Sequence, residues 1–382
     1  MNKTRKLKIA TIVGTRPEII RLSSIIDRLN KSKYIDHTLI HTGQNYDHNL
    51  NDIFFKDLEI NNPDYYLDAA KETPSKTIGQ ILIKIEPVLD KLKPDAVLVL
   101  GDTNSCLSII SAKKKKIPVF HFEAGNRCFD MRVPEEINRR IVDHISDINL
   151  TYSDLAREHL IKEGIDSDQI IKVGSPMFEV IKKHKSKIQK SKILNKLKLK
   201  KQKYILVSCH REENVDNLKN FKKLIESLNY LSETYKFPII FSTHPRTRKI
   251  IKKRKPNLNK LIKLIEPLGF IDYNNLQINS FVVLSDSGTI SEESSILNFR
   301  ALNIRESHER PEAMEESTVI LSGLDYNRIS HGIESIKDQE IGDKRNISLV
   351  SDYNVPNVSI KIERIILSYI NYVNRVVWQK ES

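Results

Sequence analysis

The sequence predicts an α/β protein of two domains, each a parallel sheet covered by helices on both faces. Short apolar runs alternate with segments of helical period, the pattern of repeated strand–helix units. The alternation breaks at a lysine-rich stretch, Lys182–Lys203, and then restarts. With 382 residues, the chain exceeds what one hydrophobic core ordinarily serves. The expected division is a first domain at 1–180, a lysine-rich helix and linker at 181–203, a second domain at 204–355, and a C-terminal helix at 356–382 packing back on the first domain.

Ile9–Val13 is apolar and ends at Gly14, so it reads as the first strand, and Glu18–Leu29 follows with helical spacing. Ile35–His41 is the next strand, Ile78–Leu92 an amphipathic helix, and Ala96–Leu100 a fully apolar strand of the kind buried on both faces. Leu107–Ala112 belongs to a helix and Val119–Phe122 to a strand. Beyond the lysines, Tyr204–Ser208, Pro238–Ser242 and Ser280–Leu284 read as strands and Leu218–Tyr230 as a helix, with Ser359–Trp378 a final helix. Ligands gather at the carboxyl ends of such strands. Two similar domains then hold a substrate in the cleft between their loop-bearing edges.

Composition narrows the function. The formal net charge is +13, but much of the excess lies in the lysine stretch, Lys113–Lys116 and Lys252–Lys255. Zinc-finger spacing and an RNP-like aromatic pattern are both missing from the sequence, so nucleic-acid binding is not expected and an anionic small molecule explains the charge as well. No apolar run reaches the roughly 18 residues that span a bilayer. The N-terminal apolar stretch is interrupted by Gly14, Arg16 and Glu18 and reads as a strand rather than a signal peptide, so a cytoplasmic location is expected. Cys106, Cys128 and Cys209 lack metal spacing and are expected to be reduced, with neither a metal nor a redox cofactor.

His121–Arg139, HFEAGNRCFDMRVPEEINR, concentrates ionisable groups directly after a strand, a costly arrangement unless a charged substrate or a proton transfer uses them. Asp102 ends the strand before it, and Asp102 and Glu123 are neighbours if their strands pair. Carboxylates sharing a cleft separate their pKa values, so one holds a proton while another accepts one. Glu135 opens a helix and stands four residues before Arg139, which is also the spacing of a surface ion pair. In the loop Gly14-Thr15-Arg16-Pro17-Glu18, backbone amides and Arg16 are candidates for substrate oxygens, without the spacing of a dinucleotide site or P-loop. In the second domain His210 and Arg211 end one strand and His244 another. Ser287, Gly288 and Thr289 form a small hydroxylic loop suited to phosphate, with Glu292 one turn on suited to ribose hydroxyls and Arg310 adding charge.

Taken together, GTRPE, HTGQ, GDT, HFEAG with PEEINR, HREEN, THPR, DSGT with two glutamates, and RPEAMEE resemble the non-hydrolysing UDP-N-acetylglucosamine 2-epimerases from about Ile9 to Ser351. The resemblance implies two Rossmann-like domains of the glycosyltransferase-B type, a UDP-linked N-acetylamino sugar bound in the interdomain cleft, and a homodimer. It implies C2 inversion by loss of the C2 proton and of UDP from C1 to give a 2-acetamidoglycal, then re-addition on the opposite face, with no cofactor. By the same resemblance Asp102, Glu123 and Glu135 serve proton transfer, and His210 with Arg16 stabilises the departing diphosphate. Ser287, Gly288 and Glu292 then bind phosphate and ribose, and Phe270 neighbours uracil.

The segment from Glu123 to Ser153 and the C-terminal tail are most similar to the UDP-N-acetyl-L-fucosamine synthase branch. Asn126-Arg127-Cys128, Val133, Glu212 and Thr289 stand where the general branch differs. That branch implies UDP-N-acetyl-6-deoxy-L-talosamine as substrate, in surface polysaccharide biosynthesis such as capsule or O-antigen; the alternatives are a UDP-N-acetylglucosamine 2-epimerase giving UDP-N-acetylmannosamine and a noncatalytic UDP-sugar sensor. Asn45-Tyr46-Asp47, in place of a common histidine-arginine pair, argues against an allosteric sugar-nucleotide site.

Overall fold

A computed structural model of the chain describes residues 5–44, 48–131 and 133–380, with the side chains of 48–52 left out. Asn45-Tyr46-Asp47 lies outside the described residues. Two compact units are present: one comprises Met1–Val180 and Asn354–Ser382, the other Ile181–Tyr353. Each is Rossmann-like.

The first unit is built on β1 (Leu7–Val13), β2 (Ile35–His41), β3 (Tyr65–Tyr66), β4 (Ala96–Leu100), β5 (Val119–Ala124), β6 (Ile148–Thr151) and β7 (Ile170–Lys172). All pairings are parallel, in the order β3-β2-β1-β4-β5-β6-β7. Strand order therefore reverses between β1 and β4. The loops leaving these two strands diverge to opposite sides of the sheet and open a crevice at their carboxyl ends. Ala10, Ile12, Val97 and Val99 pack on one face with Ile85 and Leu89 of the helix Pro74–Leu92. After β4 the chain makes a 3-10 turn, Asn104–Ser108, before the helix Ile109–Lys114, so the expected helical segment Leu107–Ala112 straddles the two.

The second unit repeats the plan with β8 (Ile205–Ser208), β9 (Ile239–Ser242), β10 (Ile262–Ile265), β11 (Val282–Ser285), β12 (Ala301–Asn303) and β13 (Ile320–Leu321). The order is β10-β9-β8-β11-β12-β13, again parallel throughout. Its reversal falls between β8 and β11. Alternate residues feed two cores, Ile205 and Val207 on one face and Tyr204 and Leu206 on the other, as a sheet covered on both sides requires.

The lysine-rich segment, expected as a helix and linker, is helical over most of its length and contributes to a core. It forms the helices Met177–Lys190 and Ile193–Leu197, and Ile188 and Ile193 are buried. Lysines hold the outward face while the interspersed isoleucines and leucines supply core. Asn275 Nδ2 donates to the carbonyl of Ile188 at 2.7 Å, fixing the segment to the second unit. The last helix, Val358–Val376, buries Val358, Ile362, Ile366, Ile370 and Val373 at helical spacing and packs on the helix Arg16–Lys31 of the first unit. Glu363 accepts from Arg28 Nε at 2.5 Å across that contact.

Candidate active site

In the first unit the chemistry collects at the β1/β4 crevice and the adjoining end of β5. The turn after β1 is packed too closely for a side chain on Gly14, where a Cβ would lie 1.9 Å from Ser105 Oγ. Thr15 and Glu18 form a reciprocal cap on the helix Arg16–Lys31. Arg16 stands half-buried at the first position of that helix, its guanidinium 5.5 Å from the ring centre of Phe54.

Glu18 does more than cap. It accepts from the Gly14 amide at 2.9 Å, the Thr15 amide at 2.6 Å and the Thr103 hydroxyl at 3.0 Å, so it ties the turn after β1 to the turn after β4. Burial pushes its carboxyl up to about 7 against the pull of these hydrogen bonds. The folded state thus binds a proton that the unfolded chain, with its ordinary value near 4.5, releases. This contribution to stability is fully present below the unfolded value and is lost as pH rises towards 7. Glu18→Gln should flatten that limb, worth on the order of 3 kcal/mol at ~1.4 kcal/mol per unit. Thermal melts of both proteins between pH 4.5 and 7 read it; parallel profiles would contradict the assignment.

Asp102 follows β4, and its carboxylate receives Arg139 Nε at 2.7 Å. Arg139, on the helix Pro134–Ile145, also pairs with Glu136 at 3.0 Å, and Asn138 donates to the Asp102 carbonyl at 2.9 Å. Glu135 is half-buried in the first turn of the same helix. The bury-and-pair pattern around Arg139 and Glu136 exceeds what an exposed i,i+4 pair would give. Glu136, rather than Glu135, is the fully buried carboxylate of the motif.

Glu123 is not in the loop after the strand, as the shorter expected strand would have it, but inside β5. The register slips there between Phe122 and Ala124, and Glu123 adopts a φ of 69°. A bulge with a left-handed residue re-aims a side chain at a local conformational cost, an arrangement that clusters at functional sites. The carboxylate is 7% exposed. It pairs with Arg21 at 3.1 Å and accepts from Tyr152 at 3.1 Å and Asn126 at 3.2 Å. β4 and β5 are neighbours, and a Cβ on Gly101 would lie 4.0 Å from the Glu123 carboxyl, so the Glu123 carboxylate faces the turn that carries Asp102.

In the second unit the β8/β11 crevice has Asp286 at its centre. This fully buried carboxylate accepts from the amides of His210 at 3.0 Å and Arg211 at 2.9 Å, from Asn214 Nδ2 at 3.1 Å and from the Cys209 thiol at 3.1 Å. Its contact with His210 Nδ1 is 3.2 Å. Burial works to raise its pKa, but the charge and hydrogen bonds of His210, with the Arg211 amide and Cys209, outweigh it and hold the carboxyl far below the usual range. His210 stands partly exposed, its ring centre 6.0 Å from that of His244. Ser287 Oγ is 3.0 Å from Thr289 Oγ1 at the start of the helix Ile290–Leu297, where Glu292 is buried 3.8 Å from Arg310. Gly288 lies beside Arg211 and Glu309, which approach to 3.6 Å of each other. Phe270 is 2% exposed, and its ring stands T-shaped to that of His184 with centres 6.1 Å apart. Among the described residues no group of three metal-ligating side chains is arranged to hold an ion, and no helix is long and apolar enough to cross a membrane.

The sequence profile of the family described as UDP-N-acetylglucosamine 2-epimerase matches residues 27–367. The chain belongs to that family. Its membership makes it an isomerase that inverts C2 of a UDP-linked N-acetylamino sugar. The UDP-N-acetylglucosamine 2-epimerase of Methanocaldococcus jannaschii is 40% identical over 337 residues, 86% of this chain and 92% of that protein. Among solved structures, the UDP-N-acetylglucosamine 2-epimerase from Rickettsia bellii is 50% identical with a TM-score of 0.91, covering 98% of this chain and all of its own. The Methanocaldococcus jannaschii UDP-GlcNAc 2-epimerase in complex with UDP-GlcNAc and UDP matches at 37% identity and a TM-score of 0.87, covering 94% of this chain and 99% of its own. Two Rossmann-like units are thus the epimerase fold of the glycosyltransferase-B type.

Arg21, Tyr152, Glu18 and Asp286 complete the two crevices without having been singled out as site residues. GTRPE and SDSGT contain Glu18 and Asp286, but the sequence signal points to Arg16 and the backbone amides in the first and to the hydroxylic phosphate loop in the second, not to the carboxylates. Arg21 and Tyr152 meet Glu123 from 102 and 29 residues away, and neither carries a local pattern that marks it.

Proposed function

We propose that this epimerase interconverts UDP-N-acetylglucosamine and UDP-N-acetylmannosamine. The relatives named for UDP-N-acetylglucosamine, at 40% and 50% identity over most of the chain, support this sugar over the 6-deoxy-L-sugar that the Glu123–Ser153 segment predicted. The observation that carries the chemistry is the Glu123 carboxylate, set on a bulge beside the Asp102 turn and paired with Arg21.

In this reading Glu123 takes the C2 proton, the C2–H bonding pair forms the C1–C2 double bond of the glycal, and the C1–O bonding pair leaves with UDP. Re-addition of UDP at C1 accompanies protonation of C2 from the other face, with Asp102 and Glu135 on the remaining proton-transfer duties. Arg139, 2.7 Å from its carboxylate, orients Asp102. His210, Arg211 and Arg16 stabilise the charge that develops on the departing diphosphate. Ser287, Gly288 and Thr289 hold phosphate oxygens, Glu292 the ribose hydroxyls, and His244 and Arg310 complete the anionic pocket. The buried ring of Phe270 serves as the wall behind uracil. The homodimer rests on the resemblance alone, and the mass in solution decides it.

A second reading keeps UDP-N-acetyl-6-deoxy-L-talosamine as substrate. Its support is the sequence departures at Asn126, Cys128, Val133 and Thr289 alone, of which Cys128 lies beside the site, its Sγ 3.3 Å from the Glu136 that pairs with Arg139. Proton NMR in deuterated water with each sugar nucleotide separates the two. Deuterium uptake and inversion at C2 of UDP-N-acetylglucosamine are expected. Exchange confined to the 6-deoxy-L sugar would transfer the assignment to it, and no exchange in either would sink the proposed substrates and leave a UDP-sugar sensor.

A further inference from the structure

His121, on β5 two residues before Glu123, has no part in the proton transfers above. It is 1% exposed, and a buried imidazole is costly unless its nitrogens are used. Nε2 donates to the carbonyl of Gly101 at 2.8 Å, the residue immediately before Asp102. Nδ1 lies 2.9 Å from Asp143 Oδ1, a close contact without hydrogen-bond alignment. Asp143, 1% exposed on the helix Pro134–Ile145, accepts from the Gly125 amide at 3.3 Å, two residues beyond Glu123. Arg127 anchors this carboxylate at 2.7 Å and is itself held by Glu163 at 2.6 Å and by the Asn126 carbonyl at 2.7 Å.

One buried imidazole–carboxylate pair therefore grips the turn after β4 through a carbonyl and the turn after β5 through an amide. The grip matters most at Gly101. Its φ of 77° takes the backbone out of the strand conformation, so the strand ladder no longer dictates where its carbonyl, and the Asp102 side chain after it, point.

We infer that His121 is a positioning residue for the epimerisation: through Gly101 it sets the direction of Asp102, and through Asp143 it holds that direction in register with Glu123. The inference rests on the C2-epimerase reading and adds to it a residue that touches no substrate. A misplacement of about 1 Å costs on the order of 10²-fold in rate, which sets the size of the expected effect.

Two amides of similar polarity dissect the contact. Glutamine places its Nε2 near the position of the histidine Nε2 and retains the donor to Gly101, whereas asparagine reproduces only the Nδ1 side and abandons it. Wild type, His121→Gln and His121→Asn are compared for kcat, KM, C2 deuterium exchange and UDP affinity, with circular dichroism as the control for folding. The glutamine variant should keep kcat within about tenfold of wild type and the asparagine variant should lose roughly 10²-fold, both with KM and UDP affinity within about threefold. Equal turnover of the two variants, or losses that appear in KM or UDP affinity, would overturn the inference. Loss of the fold in both would also overturn it, by making the residue structural. A wild-type enzyme that exchanges no C2 proton in either sugar nucleotide would instead remove the epimerase reading and this inference with it.

Discussion

Replacing Glu123 by glutamine is expected to reduce C2 epimerisation by roughly 10³-fold and to leave UDP affinity within about twofold. Glutamine preserves the shape that fills the space between Arg21, Asn126 and Tyr152, but an amide accepts no proton from C2. The second unit, which carries the proposed phosphate loop, is untouched. Arg21 is buried against Glu123, and removing the carboxylate's charge from that buried pair weakens it. A lower melting temperature should therefore accompany the loss of activity. Calorimetric titration with UDP separates the two effects: a variant that binds UDP normally and does not exchange C2 has lost chemistry, and near-normal turnover would remove Glu123 from proton transfer.

Asp286→Asn carries the largest expected effect in the second unit. The wild-type carboxylate gathers two backbone amides, a side-chain amide, a thiol and the His210 ring. An asparagine turns an NH2 group towards some of those donors and leaves them without an acceptor, at about 1–3 kcal/mol for each buried group. Loss of about 3 kcal/mol of stability is expected, and UDP affinity should fall at least about tenfold because His210 and Arg211 lose their backbone anchor. Acid adds a second readout. The folded carboxyl is held below its ordinary value, so its contribution is present at neutral pH and down to the ordinary carboxylate value near 3.9, and drains away as pH falls further towards the folded value. The variant should lack this acid limb in melts from pH 7 to pH 3. Unchanged stability together with unchanged UDP affinity would dismiss Asp286 as the anchor of the site.

The alternation of apolar runs and amphipathic helices was enough to read two parallel α/β units, because strands such as Ala96–Leu100 are buried on both faces and look it. Ile148–Thr151, Ile170–Lys172 and Ala301–Asn303 escaped the same reading. Three or four residues carry too little period to be read, and what makes them strands is pairing with neighbours distant in sequence: Ile148–Thr151 and Ala301–Asn303 lie inside their sheets and Ile170–Lys172 at an edge. The site divides in the same way. Residues that end strands, Asp102, His210 and Ser287 among them, were legible because the loops of parallel sheets face the ligand. Arg21 and Tyr152 were not, since their meeting with Glu123 is a product of tertiary packing. The bulge that turns Glu123 is invisible too: Phe122-Glu123-Ala124 carries no glycine or proline to announce a left-handed residue.

The last helix, Val358–Val376, belongs to the unit that begins at the other end of the chain. During synthesis the seven strands of the first sheet leave the ribosome early, yet the apolar stripe that seals the helix Arg16–Lys31 arrives only with the final residues. The second unit, contiguous from Ile181 to Tyr353, has all of its sequence available before then. Maturation of this polypeptide should thus run out of sequence order, the inserted half closing first and the other half waiting, with an open apolar groove, for Val358–Val376.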